Sequence, residues 1–183
     1  LCEYASGDYF LPNVITIGEK QYVCPHNAQE IVVIENEKIV ERIPLIKELE
    51  QMGAFYAAAP IGEILYLIPY KYPAIVRYDT QEKKLTYIKG YNDIFVKCVP
   101  ETGEWRVGGG GVCKNHLLIA SPTDHQVLAI DNDTGNIKIL AIGNNKDIGC
   151  IGLVLENENI WMLPYSGKII RKWNPVTGEC REY

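Results

Sequence analysis

Long apolar runs are missing from this chain: no stretch approaches the roughly 18 residues that a membrane-spanning helix needs, so no membrane partner is expected. Runs of Lys and Arg are missing as well, and the formal charge is −5. Nothing therefore tracks a phosphate backbone, and nucleic acid is not an expected partner. The six cysteines, at 2, 24, 98, 113, 150 and 180, contain no Cys-x-x-Cys pair, which removes the common zinc frameworks. No metal and no cofactor is expected. Histidine is scarce, with residues only at 26, 116 and 125, so few side chains can carry acid–base chemistry near neutrality. The glycine run of "VGGGGVCKN" (107–115) lacks the Gly-Lys-Ser/Thr that opens a phosphate-binding helix. The chain begins at Leu1 with neither Met nor a charged-then-apolar leader, as expected of a processed product or a piece of a longer protein.

What is present leans toward strands. Twelve Tyr stand beside three Phe, with many Ile and Val, and such side chains suit a pleated, half-buried surface. The 183 residues, 47% hydrophobic and 22% charged, have the composition of a soluble globular protein with one sizeable core or two small ones.

The organising feature is a repeat. "IGEILYLIPYKYPAIVRYD" (61–79) falls without a gap on "IGEKQYVCPHNAQEIVVIE" (17–35), displaced by 44 residues. Displacements of 52 and then 43 residues bring it to "CKNHLLIASPTDHQVLAID" (113–131) and "ENENIWMLPYSGKIIRKWN" (156–174). Pro69 lies over Pro25 and Pro164, with Ser121 in the third copy, and Tyr66 lies over Tyr22, Leu118 and Trp161. Downstream, "DTQEKKL", "DNDTGNI" and "NPVTGEC" align as corners, and upstream Ala57 lies over Gly109 and Gly152. The copies run over about 9–44, 54–90, 105–142 and 149–183, in one domain spanning 1–183.

Each copy reads as four strands. Strand a is a small-residue run ("FYAAAPI", "VGGGGVC", "CIGLVL"). Strand b ends at Pro ("LYLIP", "WMLP"). Strand c is "AIVRYD" or "VLAID", and strand d is "KLTYI" or "NIKIL". Four short strands per repeat of this length define an all-β chain, a β-propeller of four-stranded antiparallel blades, alone or as part of a larger ring. Strand a lines a propeller's axis, where space is shortest, which accounts for its Ala and Gly. The chain resembles β-propeller repeat proteins over its whole length. The "IWMLPYSGKIIRKWNPVTGECREY" copy is similar to kelch, quinoprotein-like and streptogramin-lyase-like blades, which carry a W-x-x-x-x-x-G-x-I run followed by N/D-x-x-T-G. The WD dipeptide of the WD40 class is absent. A homodimer completing an eight-bladed ring is one way for four blades to cover their open faces.

In a propeller the b–c turns and the d–a links emerge on one face. The b–c turns here are His26–Gln29, Tyr70–Pro73, Pro122–His125 and Tyr165–Lys168. A ring follows the strand-b Pro in three of them (His26, Tyr70, Tyr165), and this collar is the expected ligand-binding set, together with Trp105 and His125. The competing reading is that these rings only pack one blade against the next. Of the d–a links, "LIKELEQMG" (45–53) has spacing for about two helical turns, capped by Gly53. The longest, 90–107, reads as an extra hairpin with Trp105 near its base.

Other motifs have plainer readings. "DTG" (133–135) matches the aspartic-protease triplet but has no second copy, so it reads as a turn, which also explains the Asn132-Asp133-Thr134 sequon. Cys24, Cys113 and Cys180 align with aliphatics in other copies and read as small core residues, which favours a reducing, cytoplasmic compartment. The streptogramin-lyase resemblance implies His and Glu near the channel mouth, including Glu-x-His, which this chain lacks. His26 and His125, with Asp124 nearby, are the weak catalytic candidates for a lyase or glycan-active enzyme. The leading expectation is a binding module for a small ligand, glycan or protein; a structural, edge-pairing role is the third class.

Overall fold

The computed structural model describes residues 10–46, 54–70, 72–91, 109–121, 126–142, 149–164 and 168–183. The described residues form four separate four-stranded antiparallel sheets, each a meander of consecutive strands. The first holds β1 (Phe10–Ile17), β2 (Lys20–Pro25), β3 (Glu30–Glu35) and β4 (Lys38–Pro44). The second holds β5 (Phe55–Ile61), β6 (Ile64–Pro69), β7 (Ile75–Asp79) and β8 (Lys84–Ile88). The third comprises β9 (Gly110–Cys113), β10 (His116–Ala120), β11 (Gln126–Asp131) and β12 (Ile137–Ala141). The fourth comprises β13 (Cys150–Glu156), β14 (Asn159–Pro164), β15 (Arg171–Trp173) and β16 (Cys180–Glu182). These are the four copies and the strands a to d that the sequence predicts. The helical turns expected at 45–53 fall mostly, and the hairpin expected at 90–107 almost wholly, outside the described residues.

The chain divides into two compact units, Leu1–Lys89 and Gly90–Tyr183, with two sheets in each. In the first unit the core lies between its sheets: Tyr22, Cys24, Ile31 and Val33 of one face Leu65, Leu67, Val76 and Tyr78 of the other. In the second, Leu118, Ala120, Val127 and Ala129 play the first role, and Ile160, Met162 and Trp173 the second. The central strands b and c are the apolar ones; β6 is buried at every position, whereas the outer strand β16 is largely exposed. A sheet covered on both faces requires continuous apolar sequence in its middle strands, and "ILYLIP" supplies it.

The repeat extends to backbone conformation. The a–b turns place Gly18, Gly62, Lys114 and Asn157 at φ of 59°, 55°, 53° and 54°, and these four positions coincide when the copies are superposed in sequence. Likewise the c–d corners put Lys83, Gly135 and Gly178 at φ of 52°, 70° and 76°. Small residues on strand a fit close approach: a Cβ added at Gly111 would lie 3.5 Å from the Leu153 Cβ on strand a of the next sheet. The glycine run thus belongs to an inner strand.

Candidate functional site

Strand register fixes which ends of the sheet elements gather together. Strand a begins opposite the Pro that ends strand b: Phe10 pairs with Pro25, Phe55 with Pro69 and Cys150 with Pro164. The b–c turns and the d–a links therefore share one end of each sheet, as the sequence predicts. At that end the a–b register shifts in three sheets, between Phe10 and Val14, Phe55 and Ala57, and Cys150 and Gly152. Bulges of this kind re-aim side chains at the rim of a sheet. The second of them carries Tyr56, which is 40% exposed and was not among the residues singled out from sequence.

In the first unit this end is built around Ala54–Phe55. The His26 carbonyl accepts from the Phe55 N–H at 2.9 Å, and the His26 ring returns the contact, with Nδ1 donating to the Phe55 carbonyl at 2.7 Å. In the neutral ring that bond places the proton on Nδ1 and leaves the lone pair on Nε2. From the other side, the backbone N–H groups of Tyr70 and Tyr72 both donate to the Ala54 carbonyl, at 2.8 and 3.0 Å. The b–c turns of two successive sheets thus meet on one dipeptide, which brings His26 and Tyr70 to the same rim.

Aromatic rings hold the rim from beneath. Phe55 and Tyr72 stack with centroids 4.7 Å apart. The Tyr72 hydroxyl donates to the Ile46 carbonyl at 2.6 Å, and the Tyr87 hydroxyl accepts from the Ile46 N–H at 3.0 Å. Neither Tyr72 nor Phe55 stands out in the sequence, because each acts through a link whose position the local pattern does not give. Of the collar foreseen from sequence, His26 and Tyr70 lie at this rim; Trp105, Asp124, His125 and Tyr165 lie outside the described residues.

In the second unit the corresponding end is tied through backbone and thiol. The Ser121 carbonyl accepts from the Cys150 N–H at 2.7 Å, and the Cys150 Sγ–H donates to the Gly152 carbonyl at 3.0 Å. Burial pushes the Cys150 thiol up to about 11, only partly opposed by bonds to Gly152 and Leu163 and the charge of Arg171. Burial likewise pushes Cys24 up to about 12. Thiols held in this way are not thiolate nucleophiles; they pack as core residues, as the alignment of Cys24 with aliphatics predicts. No group of three or more His, Cys, Asp or Glu is placed to hold a metal among the described residues. Nor is any helix among them long and apolar enough to cross a membrane.

His116 and the "DTG" triplet lie at the opposite end, with the a–b and c–d turns. Asp131 Oδ1 accepts from the Asp133 and Thr134 N–H groups and the Thr134 hydroxyl, at 3.1, 2.8 and 2.9 Å. Asn174 Oδ1 does the same for Val176 and Thr177. The triplet is a turn element, as read from the sequence.

No family model matches the chain, and no curated protein matches it. Solved structures do. A streptogramin B lyase superposes with a TM-score of 0.70 at 15% identity, over 100% of this chain and 56% of its own. A catalytically inactive histidine-to-alanine variant of virginiamycin B lyase from Staphylococcus aureus, solved with quinupristin, gives 0.65 at 16%, over 96% and 58%. The computationally designed Ika4 protein gives 0.61 at 10%, over 93% of both chains. At these identities the likeness establishes the fold, a β-propeller of four-stranded blades. The chain spans little more than half the length of the two lyases it matches.

Proposed function

We propose that this chain is a β-propeller binding module whose recognition end is the rim of b–c turns and d–a links. The reciprocal clasp between His26 and Phe55 carries the reading. It fixes the orientation and tautomer of a part-buried imidazole whose Nε2 has no partner among the described residues. An acceptor held in that way costs a ligand little ordering when it donates to it. Tyr70, half-buried, and Tyr56, exposed, supply apolar faces at the same rim. A sugar, a peptide or a small aromatic molecule bearing a donor fits this chemistry.

The test is a ligand-observed NMR screen of monosaccharides, dipeptides and aryl alcohols against the chain and its His26→Ala, Tyr70→Ala and Tyr165→Ala variants. Hits that weaken at least tenfold in His26→Ala and Tyr70→Ala, with the amide spectrum otherwise preserved, are the expected result. Hits indifferent to both substitutions would move the site elsewhere.

A second reading, a propeller lyase, draws on one observation: two of the similar structures are streptogramin-type lyases, one of them inactive through a histidine replacement. In this chain the part would fall to His26 or His125, with a carboxylate such as Asp124. Assay of linear and cyclic ester peptides for cleavage of the ester C–O bond separates the readings: turnover lost in both His26→Ala and His125→Ala supports the enzyme, and no turnover removes it.

A further inference from the structure

Superposing the two units' sequences exposes a vacancy at the opposite end of the second unit. In the first unit the groove between the two sheets, at the a–b/c–d end, is filled by Tyr22. Its ring is 3% exposed, lies 6.3 Å from the Tyr78 ring, and its hydroxyl hydrogen-bonds Thr80 in the c–d corner of the second sheet. In the second unit Tyr22 is replaced by Leu118, Val33 by Ala129, and Thr80 by Pro175. Ring, methyl groups and hydroxyl partner are lost together, and a cleft of about 220 Å³ opens there, floored by Leu118, Ala129 and Leu140 and walled by Pro175 and Val176. Val176 is 67% exposed.

The same cleft is ringed by basic side chains, Lys114, His116 and Lys138. Two of them are matched: Lys114 Nζ lies 3.2 Å from Glu158, and His116 Nε2 lies 3.5 Å from Asp131. The Lys138 ammonium, exposed on β12, has no ion-pair or hydrogen-bond partner among the described residues. An apolar floor under one unmatched ammonium calls for a molecule with an apolar body and one negative charge.

We infer that the cleft between the third and fourth sheets is a second binding site, distinct from the rim around His26, and that it takes a small organic carboxylate. The aryl or short alkyl part rests on Leu118, Ala129 and Val176, and the carboxylate meets Lys138. The volume suits such a ligand, since a dry cavity of about 150 Å³ accommodates a benzene ring. For so few atoms the expected dissociation constant is on the order of millimolar.

The experiment titrates benzoate into the whole chain, following methyl resonances of Leu118, Leu140 and Val176 and the His116 ring by NMR. Benzamide serves as the neutral isostere and inorganic phosphate as the bare anion. Saturable benzoate shifts are expected at these groups, with benzamide and phosphate each at least about fivefold weaker, because one lacks the charge and the other the apolar body. Leu118→Tyr, which restores the filling seen in the first unit, should abolish the shifts. Lys138→Gln, a change at an exposed position, should weaken benzoate about fivefold and leave benzamide unchanged. No saturable benzoate shifts, equal response to benzamide, or full binding retained in Lys138→Gln would each overturn the assignment.

Discussion

At the scale of the residue, the corner side chains of strands c and d set the clearest expectations. Thr134, through its backbone N–H first and its hydroxyl second, holds the Asp131 carboxyl below its ordinary value of 3.8, and His116 adds a small charge effect. A depressed folded-state pKa contributes stability that is fully present above the unfolded value. That contribution is lost as the pH falls through the folded value. Asp131→Asn keeps the acceptor and removes the titration. Its urea midpoint between pH 5 and pH 2 should therefore fall less steeply than that of the parent chain. Identical slopes would show that the corner contributes nothing to acid stability. Backbone conformation gives a second expectation. Gly178 at φ 76° and Lys83 at φ 52° occupy the same corner position. A Cβ in this region costs roughly 1–2 kcal/mol, so Gly178→Ala should lose about that much in chemical denaturation. Lys83→Ala, where a Cβ is already tolerated, should change stability by no more than about 0.5 kcal/mol.

At the scale of the element, identical strand positions in different sheets meet different surroundings. Val127 on β11 and Ile170, just before β15, align in the repeat, yet Val127 is fully buried and Ile170 is 38% exposed. Val127→Ala should therefore cost roughly 2 kcal/mol or more, and Ile170→Ala below about 1 kcal/mol, read as shifts in denaturation midpoint. Equal losses would mean that the two strands pack alike. The strands were legible in the sequence because their physics is local. A run such as "FYAAAPI" fits a crowded inner edge, Pro25, Pro69 and Pro164 end strand b, and Asp131 and Asn174 form corners within four residues of themselves. The site was less legible. The sequence places His26 and Tyr70 at one end of their sheets, but the clasp on Phe55 arises between residues 29 apart in the chain. Tyr72 works by reaching Ile46, 26 residues away. The cleft near His116 shows in the sequence only as the alignment of Leu118 with Tyr22. That Pro175 and Val176 of the following sheet's c–d corner face it is set by the fold and not by local sequence.

At the scale of the whole molecule, four blades and little more than half of each lyase's length are what this chain shares with those propellers. It shares nearly the whole length of the designed Ika4 protein. Propeller folds host unrelated activities, so any function of this chain lies in a site such as the rim and its oriented imidazole. Tyr72→Phe, which removes the hydroxyl bond to the Ile46 carbonyl, should cost about 0.5–1.5 kcal/mol, the net worth of one hydrogen bond, because Ile46 is exposed and water can replace the lost donor. It should also weaken any rim ligand without touching it, since Tyr72 stacks on Phe55 and loses one of its anchors. The measurement that bears most directly on the account is the His26 ring spectrum, recorded by long-range ¹⁵N correlation NMR in the free chain and with the strongest hit of the rim screen. An Nδ1–H tautomer is expected in the free chain, with a ligand-induced shift at Nε2 that is lost in Tyr70→Ala. An Nε2–H tautomer, or an Nε2 resonance that no rim hit moves, would contradict it.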